Sequence, residues 1–178
     1  ATSLIDSETL YDPYVFLRGK AGNRGDAVPR RFLRVLSKEE PAAFSDGGGR
    51  LELARSIASE DNPLTARVMV NRVWMHHFGK SMVDAPSDFG VRSDLPSHPE
   101  MMDYLAQYFM EHDWSVKELH RHILLSSAYR QISVPNMEGE SVDIENRLVW
   151  RQNRKRLEFE PMRDAILAVS GELDLAVG

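Results

Sequence analysis

Six histidines are the residues of this 178-residue chain that first invite a chemical reading. His76 and His77 are neighbours, about 100° apart on a helix, and cannot close on one ion together. His120 and His122 are about 200° apart on theirs, with the same outcome. No HExxH motif is present. A catalytic or metal centre would have to be assembled across elements, with His77, His98 and Asp88 as its members. The plainer reading leaves these histidines as satisfied core or surface groups. Asp84, Asp88 and Asp94 share one stretch and are the carboxylates to test for acid–base work, such as glycosidic cleavage. Their structural alternative is to cap turns and to pair with Arg67, Arg92 or Arg121. Asp88-Phe89-Gly90 copies a kinase magnesium tripeptide, but the Gly-rich loop and the HRD segment that such a site needs are missing. No GxSxG elbow marks a nucleophilic serine, so Ser126 and Ser127 read as helix-packing residues. With no cysteine, thiol nucleophiles, thiolate zinc and covalent haem are excluded within this chain.

Two further sets could bind rather than catalyse. Arg67, Asn71, Trp74 and Phe78 recur along one side of a helix and could line a pocket; core packing around one buried hydrogen-bond network is the alternative. Arg151, Arg154 and Arg156 could grip phosphate, sulfate or an anionic, sulfated glycan. The competing reading is an internal clamp around Trp150, pairing with Glu145, Glu158, Glu160 or the loop aspartates. The acidic balance of the chain, net charge −5, favours the clamp and argues against a general nucleic-acid binder.

The element that must position these groups runs from Asn62 to Gly79. Asn62 reads as its N-cap, Pro63 as its first helical residue and Gly79 as its left-handed stop. Apolar residues cover most of its circumference, which predicts a helix at the centre of a domain. Arg67, Asn71 and His77 interrupt the apolar sectors and need partners, since an unpaired buried polar group costs about 1–3 kcal/mol. Around it the spacing predicts a helix from Arg50 to about Ser59, a long Pro/Gly loop over 79–99, and helices opened by two capping boxes, Ser97–Glu100 and Ser115–Glu118. The second of these runs to about Tyr129, with a surface loop after it. A last helix begins near Glu158, carries Phe159, Met162, Ile166 and Val169 on one face, and stops at Gly171. Before Arg50 the chain is irregular: Pro13–Leu17 as a short extended run, a Gly/Arg-rich arm or mobile loop, and a hinge at Gly47–Gly49. That triplet lacks any phosphate-binding pattern. The expected fold is therefore mainly α, a compact helical domain over 50–178 around a buried central helix. Residues 1–49 form an irregular N-terminal arm of the same domain.

Apolar and charged fractions of 42% and 28% are those of an ordinary globular protein. No run reaches the roughly 18 apolar residues of a membrane span. The opening ATSLIDSETL has neither Met nor a signal-peptide pattern, which reads as a processed or excised piece.

Four ordered blocks carry a resemblance: NPLTARVMVNRVWMHHFG, DFGVRSDLPSHPE, SVKELHRHILLSSAYRQ and ENRLVWRQNRKRLE. Together with VFLRGKAGNRGDAVPRRFL near the start, they resemble the planctomycete cytochrome-associated domain of unknown function. The resemblance implies a C-terminal module of a large exported protein, periplasmic or at the cell surface, and a domain that continues beyond GELDLAVG. It implies no activity and no cofactor within this chain; any haem would sit on a neighbouring domain. Three functions follow as expectations. The first is a non-catalytic helical module that docks other domains of its polypeptide or a protein partner. The second is a hydrolase acting on an extracellular glycan. The third is a binder of anionic glycans through Arg151, Arg154 and Arg156.

Overall fold

Thr65–Phe78 forms the central helix, here α2, and buries Ala66, Val70, Val73, Trp74 and Phe78. The computed structural model describes residues 5–89 and 92–176. In chain order it holds an antiparallel hairpin, β1 (Tyr14–Phe16) and β2 (Arg24–Ala27), and six helices. These are α1 (Arg50–Ile57), α2, α3 (Pro99–Glu111), α4 (Val116–Leu125), α5 (Met137–Val142) and α6 (Phe159–Ser170). The mainly α expectation holds.

The core lies where α3 packs on both α2 and α4. Met102, Leu105, Ala106 and Phe109 of α3 and Leu119 and Ile123 of α4 close over α2. Met82 and Val83, from the loop after α2, complete it at 1% and 3% exposure. Each such aliphatic side chain contributes about 1.5–3 kcal/mol by leaving water, so these three helices and that loop hold the fold. α1 and α6 bury no residue at all.

Several ends differ from expectation. α2 begins at Thr65, three residues after Asn62, because the Asn62 amide serves as a joint rather than a simple cap. Its oxygen accepts the Leu64 N–H at 3.0 Å, and its nitrogen donates to the Ile57 carbonyl, tying α1 to α2. The Ser97 capping box does not form. Pro99 occupies the first turn of α3, His98 stands at the N-cap without a side-chain cap bond, and the Ser97 hydroxyl bonds the His98 ring instead. The Ser115 box forms by half. Its hydroxyl accepts the Glu118 N–H at 3.3 Å, while the Glu118 carboxylate turns to Arg121. α4 stops at Leu125, short of Tyr129, because the Ser126 hydroxyl donates to the Ile123 carbonyl and accepts the Tyr129 N–H. Residues 137–142, expected in a surface loop, make a short helix capped by the Asn136 side chain on the Gly139 N–H. Gly47–Gly49 is pinned rather than hinged: the Asp6 carboxylate accepts the Gly48 N–H at 2.6 Å and pairs with Arg50 at 2.7 Å.

Candidate functional site

The basic segment 145–158 closes over the C-terminal end of α2. A helix ends with carbonyls that lack partners inside the helix, and those carbonyls attract cations and N–H donors. Asn153 donates to the Phe78 carbonyl at 2.8 Å, and Lys155 donates its ammonium to the His76 carbonyl. Burial holds the Lys155 ammonium below its usual range. Asn146, 2% exposed, knots the segment together, donating to the Arg151 carbonyl and the Asn153 side chain and accepting the Arg151 N–H. Arg147 faces Asp84 at 3.8 Å, and Lys80 reaches the Glu145 carbonyl at 3.0 Å. The Asp143 carboxylate accepts the Arg147 and Leu148 N–H groups. Burial works against its charge, but those two donors, with Lys80 and Arg147 nearby, outweigh burial and keep it below the ordinary carboxylate range.

Of the three arginines expected to bind, Arg151 turns inward. Its guanidinium lies 5.1 Å from the Trp150 ring centroid, and its Nε is buried without a partner. Arg154 and Arg156 are exposed. Trp150 donates to the Asp143 carbonyl and lies against Gly139, where an added Cβ would fall 2.5 Å from the indole.

His77 meets His120 across α2 and α4, Nε2 to Nδ1 at 2.7 Å, with Tyr129 edge-on at 5.5 Å. Burial first, then the His120, Lys155 and His76 charges, lower the His77 pKa from 6.5. One of the two facing ring nitrogens carries the proton of this bond and the other accepts it. His98 bonds Ser97, and Asp88 lies 4.0 Å from Arg92, so His77, His98 and Asp88 each face a different partner. Among the described residues no group of three His, Cys, Asp or Glu could hold a metal ion. The His77–His120 pair lies outside any local spacing, because its members are 43 residues apart.

The row on α2 divides among separate tasks. Asn71, fully buried, accepts the Met82 and Val83 N–H groups at 2.9 and 3.1 Å and so fastens the loop after α2 onto the core. Trp74 stacks on Phe78 with centroids 3.9 Å apart. Arg67 pairs with Asp103 at 2.6 Å and donates to the Pro63 carbonyl. It lines a cleft of about 260 Å³ with Phe89, Asp94, Pro96 and Met102. Ser93 in that cleft has a buried hydroxyl without a partner.

What the sequence leaves unstated is that α6 stands apart from the core. Phe159, Met162, Ile166 and Val169 are 69, 44, 62 and 91% exposed. Their spacing marks the stripe, but only the fold shows that nothing among the described residues covers it.

Residues 49–178 match the family model described as PSD1, a protein of unknown function (DUF1553). The chain belongs to the PSD1 family. The PSD1 match begins one residue before α1 and takes in all six helices, while the hairpin β1–β2 precedes it. No curated protein and no solved structure matches the chain.

Proposed function

We propose that this PSD1 domain is a non-catalytic docking module, with α6 as the element that meets its partner. One observation carries the reading. α6 is a three-turn helix, from Glu158 at its N-cap to a left-handed Gly171, whose apolar stripe faces water outside the core cluster. Single apolar residues on a surface are ordinary, but an ordered stripe along a whole helix reads as a protein contact. Helices of this kind lie in grooves or against other helices and are recognised through residues at i, i+3 and i+7. The partner is another domain of the same polypeptide or a separate protein. An exported, multidomain setting is supported by the resemblance described above. The hydrolase reading draws no convergent set of side chains from His77, His98 and Asp88, and the glycan-binding reading is left with Arg154 and Arg156 without Arg151.

A photocrosslinking residue placed at Val169, with a control at Asp164 on the opposite side of α6, tests the proposal in cells that make the protein. The reading requires crosslinks from position 169 to a defined patch of one protein surface and none from position 164. Equal labelling from both positions, or none from either, overturns it.

A further inference from the structure

Resting on that docking reading, we propose that the surface that covers α6 is a second copy of α6, packed antiparallel about a two-fold axis beside Asp164.

The stripe runs Phe159, Met162, Ile166, Val169. Those steps of three, four and three residues are the seam of a two-stranded coiled coil, narrower than the face a helix lays on a globular core. Reversing the sequence about position 164 carries Phe159 onto Val169 and Met162 onto Ile166, so the stripe complements itself when two copies run in opposite directions. Beyond the helix ends the flanks are of opposite sign, Arg154 and Arg156 before α6 and Glu172 and Asp174 after it, so an antiparallel copy brings each basic flank toward the acidic flank of its neighbour. Both arginines are exposed and make no ion pair among the described residues, and neither does either carboxylate. Asp164 lies on the face of α6 opposite the stripe, so the axis brings no like charges into the seam.

The order of these charges is a second, independent observation. Cations before a helix N-terminus and carboxylates after its C-terminus oppose the helix dipole. Alone, α6 gains nothing from Arg154, Arg156, Glu172 or Asp174. Beside an antiparallel copy, each arginine pair stands near the carbonyl end and the carboxylates of its neighbour, so charges that do nothing for their own helix gain partners there. A parallel pair would set arginines against arginines. An isologous two-fold contact of this kind closes on itself and gives a dimer rather than a fibre.

Sedimentation of the whole chain tests this, up to about 100 µM because the assembly depends on concentration. The expected result is a reversible monomer–dimer equilibrium that Ile166→Asp shifts to monomer while the thermal melt of the helical core stays in place. The double charge reversal Arg154→Glu with Arg156→Glu weakens the dimer at least tenfold. Adding Glu172→Arg and Asp174→Arg to that chain restores it, which only the antiparallel register allows. A monomer at the highest concentration, a dimer indifferent to Ile166→Asp, or a quadruple variant that fails to recover overturns the self-pairing. The docking reading fails separately. A monomer whose position 169 crosslinks to a different protein removes self-pairing and keeps docking, whereas a monomer with no crosslinks removes both.

Discussion

Asn153 donates its side-chain amide to the main-chain carbonyl of Phe78, 75 residues earlier and at the last position of the central helix. With Asn146 behind it, that bond turns a segment with the look of a charged surface run into the cap of α2. Asn146→Ala would strip the Arg151 N–H and carbonyl of partners in a place with little access for water. A loss of about 2–3 kcal/mol is expected. Urea unfolding measures it, and a change under about 0.5 kcal/mol would show that the knot contributes nothing.

Asn71 is a further buried amide on which the fold depends. Asn71→Leu keeps the volume and removes the acceptor for Met82 and Val83, so the loop after α2 loses its anchor. A cost of about 2–4 kcal/mol is expected from two orphaned N–H groups. Amide exchange would be fastest at Met82 and Val83, where the change acts. Uniform protection of the loop in the variant would contradict this account.

Among the described residues Gly139 is the one glycine whose Cβ would meet an indole. Gly139→Ala must move Trp150, which also donates to Asp143 and lies beneath Arg151. Displacements of this kind cost about 1–3 kcal/mol. Tryptophan fluorescence and the denaturation midpoint should shift together, and an unchanged emission spectrum would place Trp150 elsewhere.

The His77–His120 pair sets the sign of a pH dependence. The folded pKa of His77 is lowered below 6.5, mainly by burial, so the unfolded chain takes up its proton first. The stability tied to neutral His77 is complete above about pH 6.5 and is lost as pH falls through the lower folded value. His77→Gln should flatten the stability curve between pH 7 and 5, an interval in which no other side-chain type normally titrates. An equal slope in the variant would assign the effect elsewhere.

Ile166→Asp should move the unfolding free energy of the chain by less than about 0.5 kcal/mol, the usual size for a surface change. Leu119→Ala, at a fully buried site on α4, should cost about 2–5 kcal/mol. Comparable losses at the two positions would mean that α6 belongs to the core.

Local rules read some of this structure well. The ends of α6 follow from Pro161, which must lie in a first turn, and from Gly171, whose φ of 79° suits glycine. The burial of α2 follows from its apolar circumference, and the need for partners at Arg67, Asn71 and His77 follows from the same pattern. What sequence could not supply was the identity of those partners, since Asp103, Met82 and His120 arrive through tertiary packing. The two capping boxes read alike, yet only Ser115 caps, because Ser97 has a competing hydrogen-bond partner in the adjacent His98 ring. The pairing of histidines within each helix is sound as geometry and misses the pair that forms, one ring from each helix. Asn146 and Asn153 carried no periodic signal. The only hint was three amides, Asn146, Gln152 and Asn153, inside a run otherwise made of charges and a few apolar residues.

The strap over α2 has a mechanical consequence. Lys155 and Asn153 hold the last carbonyls of the central helix, and four residues after Lys155 α6 begins. A pull applied to α6 by whatever it grips would load those two bonds in shear before it reached any core side chain. The helix that reaches outward is thereby moored to the most deeply buried rod of the protein, and tension on it would be borne by the whole domain.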